Sequence, residues 1–251
     1  WIIQAEYERL VNVWNLLGDS AYLHLPEPIA LFDIGRQRVL VISYVRGEGL
    51  LFYSKKRLWH DPAQVMELSL TVAHSLREMH DKAEKELAEN EQVPSDFLQN
   101  LELFKQIYKP TEKESLAFVE LASHFENRNG KYRTLVHGDF WHGNIIRGSL
   151  HNTLIFVDWQ HSRWSQDVST DVYLFLMAGA LATSHGSPEE RARSTVKVLM
   201  EWRQNILPAY LAAYGNVDRY SLLPARLGML VCCVEKAVRS IRDFGYNQFD
   251  D

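Results

Sequence analysis

Cysteine, surplus basic charge and long apolar runs are all scarce in this 251-residue sequence. The two cysteines, Cys232 and Cys233, stand side by side in an apolar stretch. That spacing builds neither a disulfide framework nor a zinc site, and it suits buried free thiols in a reducing compartment. No apolar run reaches the length needed to cross a bilayer. The opening WIIQAEYERLVNVW lacks the basic start, continuous apolar run and small-residue cleavage site of a secretory signal, so a cytoplasmic chain with no membrane partner is expected. A formal net charge of −5, with lysines and arginines scattered among acids, leaves no basic field for nucleic acid. Internal repeats and low-complexity linkers are absent as well.

What remains is the composition of a globular protein, 46% hydrophobic and 24% charged, long enough for one large domain or two unequal lobes. Ile2, Leu10, Val13, Trp14 and Leu17 recur at helical spacing, and the run ends at Gly18 and Asp19. IALFDI and RVLVISYV, separated by GRQ, read as a hairpin. A helix is expected from about Pro62 to Leu87, with Val65, Leu68, Val72, Leu76 and Met79 on one face. Two more helices are expected over 96–128, then short strands at TLVH and TLIFVD, then helices from about Asp167. The fold class is therefore α+β. A small β-containing piece over 1–46 precedes a larger, mainly helical piece over 47–251, with SYVRGEGL as the hinge where a cleft could form.

Between the strands TLVH and TLIFVD lies HGDFWHGN, residues 137–144. His, Asp, Gly and Asn are ordinary turn residues, so a polar turn is one reading. The other rests on spacing. His137-x-Asp139 is followed by Asn144, and Asp158 ends the next apolar run. A carboxylate at the start of a loop can take a proton from a hydroxyl, while an amide oxygen and a second carboxylate are the hard ligands that Mg²⁺ prefers. The same order, H-x-D-x-x-x-x-N and then a metal-binding aspartate, serves in-line phosphoryl transfer in protein-kinase-like enzymes.

HGDFWHGN, VDWQ and QDVSTDVY together resemble the HGDxxxxN, (I/V)D(W/F) and GDPxxD(L/I)A motifs of the aminoglycoside phosphotransferase and choline kinase-like small-molecule kinases. LVISYVRGEGL is similar to that family's hinge, and EYERL to the helix whose glutamate pairs with a phosphate-binding lysine. The resemblance implies a protein-kinase-like bilobal fold with a truncated small N-lobe and a large mainly helical C-lobe. It implies ATP and Mg²⁺ in the cleft and a small hydroxylated acceptor on the helical lobe. Asp139 would be the catalytic base and Asn144 and Asp158 the metal ligands. His137 would brace the loop, and Asp171 would hydrogen-bond its backbone. Ser43, Tyr44 and Val45 would form the adenine hinge, with Glu6 on the phosphate side. Trp141, Gln160 and Arg163 are candidates for the acceptor pocket, Trp141 being equally suited to packing.

One part of the pattern is missing. Family members begin with strands carrying a nucleotide-covering loop and a lysine, whereas this chain begins at the following helix. Gly47 and Gly49 lack the third glycine of a phosphate loop, and Lys55 and Lys56 fall after the hinge. The favoured expectation is that front strands lie outside this chain, leaving the strands near 29–34 and 38–44 as an incomplete sheet with exposed apolar residues. Two other readings stay open. One is a nucleotide-binding regulatory module without turnover. The other is a non-haem metal oxygenase or hydrolase using His137, Asp139 and a distant histidine such as His185. Trp202, Tyr210, Tyr214 and Tyr220 read as packing, and Glu189 and Glu190 as the acidic first turn of a helix.

Overall fold

The apolar spacing at the front of the chain becomes helix α1, Ile2–Leu17, which buries Leu10, Val13 and Leu17. The computed structural model describes residues 2–18, 23–51, 59, 61–87, 97–126, 131–148, 153–215, 219–220 and 222–244. Trp1, Asp19, Lys55 and Lys56 lie outside them. Strand β1 (Leu23–His24) leads to the hairpin of β2 (Pro28–Ile34) and β3 (Gln37–Ile42). Helix α1 packs across both hairpin strands. Among the described residues β2 and β3 form a two-stranded sheet of their own, with Ile29, Phe32, Ile34 and Ile42 exposed. Strand β3 stops short of the expected Val45; the last cross-strand bond is the Ser43 N–H to the Glu27 carbonyl at 2.8 Å, one step beyond the Pro28–Ile42 pair.

Strand β4 (Gly47–Gly49) pairs with β7 (Ile145–Gly148), which pairs in turn with β8 (Leu154–Phe156), and β8 runs parallel to β1. This four-stranded sheet explains Gly47. A Cβ there would strike the Arg147 carbonyl and come within 2.7 Å of the Ile146 side chain, so the G-x-G serves close strand approach.

Helix α2 (Pro62–Lys82) starts where the Asp61 carboxylate accepts from Ala63 N–H at 3.0 Å and Pro62 fills the first turn. It buries Val65, Leu68, Val72, Leu76 and Met79. It ends short of the expected Leu87, since β5 (Lys85–Glu86) leaves the helix to pair with β6 (Tyr132–Val136). Strand β9 (Arg163–Ser165), too short to show an alternation in the sequence, pairs with the other edge of β6. Helices α3 (Phe97–Tyr108) and α4 (Glu112–Glu126) stack Phe97 on Phe125 with centroids 4.2 Å apart.

The rest is helical: α5 (Ser169–Ala182), α6 (Pro188–Trp202), α7 (Ile206–Tyr214) and α8 (Ala225–Phe244). Ser187 and Glu190 close a reciprocal cap on α6. Trp202, Tyr210, Tyr214 and Tyr220 are buried, as packing residues would be. The cysteines correct an expectation. Cys232 is buried but Cys233 is exposed, because neighbouring residues on a helix point about 100° apart. No helix among the described residues is long and apolar enough to cross a membrane.

Candidate active site

Strand β6 delivers the chain into the polar loop at His137, and the loop is held from below. The Asp171 carboxylate, on the first turn of α5, accepts from the backbone N–H of His137 at 2.6 Å and of Gly138 at 2.8 Å. Asp171 is fully buried, and His80 of α2 lies 3.4 Å away with its other nitrogen 2.8 Å from the Tyr214 hydroxyl. Burial alone would push the Asp171 carboxyl up; the hydrogen bond and charge of His80, with His137, outweigh it and hold the group below its ordinary value. Gly138 takes φ +76°, and a Cβ there would strike the His161 carbonyl.

His137 is itself committed. Its Nδ1 accepts from the Asp139 N–H at 3.3 Å, which leaves the proton on Nε2 to donate to the Val157 carbonyl at 2.9 Å. The ring is fully buried against Trp159, and burial holds it below its ordinary pKa. No ring nitrogen is left for a metal, and His185 is exposed in the turn after α5. The oxygenase or hydrolase reading loses its first ligand.

Asp139 and Asn144 face each other across the loop. Asn144 Nδ2 donates to the Asp139 carbonyl at 2.9 Å and to its Oδ2 at 3.2 Å. Since only the NH₂ can donate to both, the amide oxygen is turned the other way, free to serve as a ligand. The Asn144 carbonyl accepts from Val157 N–H at 3.0 Å, so the chain leaving β8 arrives at Asp158 beside the loop. Asp158 has φ +64°, a backbone strain a non-glycine residue seldom carries. Among the described residues its half-buried carboxylate has no hydrogen-bond or ion-pair partner. Glu6 of α1 lies in its field: burial, then the charge of Asp158, pushes the Glu6 carboxyl up. An amide oxygen and a partnerless carboxylate fit Mg²⁺, which takes few protein ligands and keeps the rest for water and phosphate.

Three residues of α8 complete the site, and the sequence reading missed them. Lys236 Nζ forms an ion pair with Asp139 Oδ1, and Arg239 Nη1 lies 2.9 Å from the same oxygen. Arg239 Nη2 also donates to the Gly138 carbonyl at 2.6 Å. Burial would raise the Asp139 carboxyl, yet Lys236 and then Arg239 hold it below its ordinary value. Glu235 accepts from Arg163 Nη2 at 2.7 Å and from Thr170 Oγ1 at 2.9 Å. Arg163 is thus a strand residue tied to α8. The available signal was the charged EKAVR stretch that follows the apolar run LGMLVCCV in this helix.

The other candidates are spread around this centre. Trp141 folds over Gly143, with Lys236 Nζ 5.9 Å from its ring. Gln160 is half-buried in the turn closed by Ser162 N–H to the Trp159 carbonyl. At the hinge the Tyr44 side chain is 89% exposed. The Ser43 N–H is already spent on Glu27, so its carbonyl and the Tyr44 and Val45 backbone are left for a ligand.

Comparison with known proteins gives a family and a fold. The model of the ecdysteroid kinase-like family matches residues 54–183. An aminoglycoside phosphotransferase of Streptomyces rimosus, solved with ADP and streptomycin, superposes with a TM-score of 0.56 at 14% identity over 94% of this chain and 82% of that one. The ethanolamine kinase of Plasmodium vivax gives 0.53 at 13% identity over 99% and 68%. A glucosamine kinase gives 0.55 at 15% over 96%, and this chain spans 65% of its length. At these identities the likeness establishes a protein-kinase-like fold. No curated protein sequence matches significantly.

Proposed function

Because the chain belongs to the ecdysteroid kinase-like family, we propose that it moves the γ-phosphoryl group of Mg-ATP to a hydroxyl of a small molecule, with Asp139 as the base. Its class, a small-molecule kinase with a hydroxyl acceptor, follows from the family. The observation that carries the finer reading is the junction of Asp139, Asn144 and Asp158: one ionised carboxylate hydrogen-bonded by the amide, and a second, partnerless one delivered by the adjoining strand.

In this reading the acceptor hydroxyl donates its proton to Asp139 as its oxygen attacks the γ-phosphorus. The bond to the β–γ bridging oxygen breaks, and its electron pair stays with ADP. Mg²⁺, when bound, neutralises triphosphate charge, and the Asn144 amide oxygen and the Asp158 carboxylate would hold it. His137 and Asp171 keep the loop in register without touching substrate. The adenine ring would meet the Ser43 carbonyl and the Val45 backbone, with Tyr44 contributing main chain only, and Glu6 lies on the phosphate side.

Charge does not narrow the acceptor class, since Lys236 and Arg239 are both paired with Asp139. An ecdysteroid, the compound class in the family's description, is the first to test, with Trp141 and Gln160 as the side chains proposed to meet it. The experiment is ATP consumption by the full-length protein across a panel of hydroxylated metabolites, with nucleotide affinity measured in parallel. Asp139→Asn should bind Mg-ATP yet lose roughly 10²-fold or more of turnover. Asp158→Ala should weaken Mg-ATP binding itself. Near-normal turnover by Asp139→Asn would remove that residue from its role. Binding without turnover across the panel would favour the regulatory-module reading.

A further inference from the structure

We propose that Lys236 is a further catalytic residue, whose ammonium group bridges the Asp139 carboxylate and the γ-phosphoryl group in transit, while Arg239 is a positioning residue. This rests on the phosphotransferase reading above. Neither HGDFWHGN nor VDWQ contains a lysine or arginine, so the loop brings no cation to the transferring phosphate. Helix α8 does. Residues 236 and 239 are three apart, share one face of it, and converge on Asp139 Oδ1.

The two cations are held differently. Arg239 is 16% exposed and pinned by two oxygens, the Asp139 carboxylate and the Gly138 carbonyl, so it fixes where the base stands. The Lys236 side chain is 40% exposed, and among the described residues its ammonium group pairs with the Asp139 carboxylate and otherwise only faces the Trp141 ring at 5.9 Å. An ammonium group has three N–H donors, so one can stay on Asp139 while another turns to the exposed side of the residue. The charge balance calls for it: Asp139, Asp158 and Glu6 put three carboxyl groups where a triphosphate must enter. As the acceptor oxygen bonds to the γ-phosphorus and its proton passes to Asp139, Lys236 donates to a γ-phosphoryl oxygen and stays protonated. The electron pair of the broken bond leaves on ADP.

A cation on the γ-phosphate must tell ATP from ADP, and a merely structural one has no reason to. The test is calorimetric titration of the full-length protein with Mg-ADP and with Mg-AMP-PNP, a non-hydrolysable ATP analogue. The forms compared are wild type, Lys236→Met, Lys236→Gln, Lys236→Arg and Asp139→Asn/Lys236→Met, with folding checked by thermal melts. Either neutral variant should bind the triphosphate analogue about tenfold more weakly while Mg-ADP affinity stays within about twofold. Lys236→Arg should recover most of the loss. The selective loss should persist in the Asp139→Asn background, where the residual effect of an uncompensated carboxylate is gone. Equal losses for both nucleotides, no loss, or a loss that vanishes with Asp139→Asn would overturn the role of Lys236 and leave the kinase reading standing. A wild-type protein that binds neither nucleotide would overturn both.

Discussion

Asp139 and Asp171 are buried carboxylates with opposite duties, and the difference lies in how their oxygens are spent. Both Asp171 oxygens are occupied by backbone N–H groups and His80, so it can only hold the loop. Asp139 keeps Oδ2 under a single long bond from Asn144, which leaves room for a hydroxyl. Asp171 has a depressed carboxyl, so its contribution to stability is fully present above the ordinary value of 3.8 and is lost as pH falls below it. Asp171→Asn replaces an acceptor by a donor facing N–H groups. We expect a loss of roughly 3 kcal/mol in urea unfolding at pH 7 and a shallower fall in stability between about pH 5 and pH 2 than in wild type. Gly138→Ala should cost roughly 1–3 kcal/mol by the same measurement, since φ +76° and the His161 carbonyl both oppose a side chain. His137, Asp139, Asn144, Asp158 and Asp171 were legible as a group because they lie within 35 residues and their spacing follows a loop and a strand. His80, Glu235, Lys236 and Arg239 were not, because no local pattern links α2 or α8 to that loop.

Among the elements, legibility followed length and periodicity. Helix α2 announced itself by five apolar residues on one face from about Pro62 on, and the structure adds the Asp61 cap; Asp61→Ala should lower stability by about 1 kcal/mol in denaturant titration through loss of that cap. Strand β9 was invisible, since three residues, Arg163-Trp164-Ser165, are too few for an alternation to register. Its partner β6 decides its conformation through non-local hydrogen bonds. The premature end of α2 has the same origin. Lys85 and Glu86 are good helix formers, but the sheet formed with Tyr132 and Arg133 claims them.

At the scale of the whole molecule, a ligand that binds only the folded protein must raise its melting temperature. At a hundredfold excess over the dissociation constant, Mg-ATP adds about 2.7 kcal/mol, worth roughly 5–10 °C for a chain of this size. A scanning calorimetry experiment should give that rise, and a markedly smaller one with ATP and a chelator, if Asn144 and Asp158 act through the metal. The described residues bury two separate apolar clusters, a large one under the sheets and a second between α3, α4 and α8. Helix α8 gives Cys232 to the first and Leu227, Val231, Val234 and Val238 to the second. The helix that carries Lys236 and Arg239 therefore has its backbone clamped on two sides. Peeling away α3 and α4 would bare one of those sides. Slow amide exchange in α8 then becomes a gauge of whether the acid–base centre is assembled, and any sub-global opening of the α3–α4 pair registers there before the phosphate-handling loop itself unfolds.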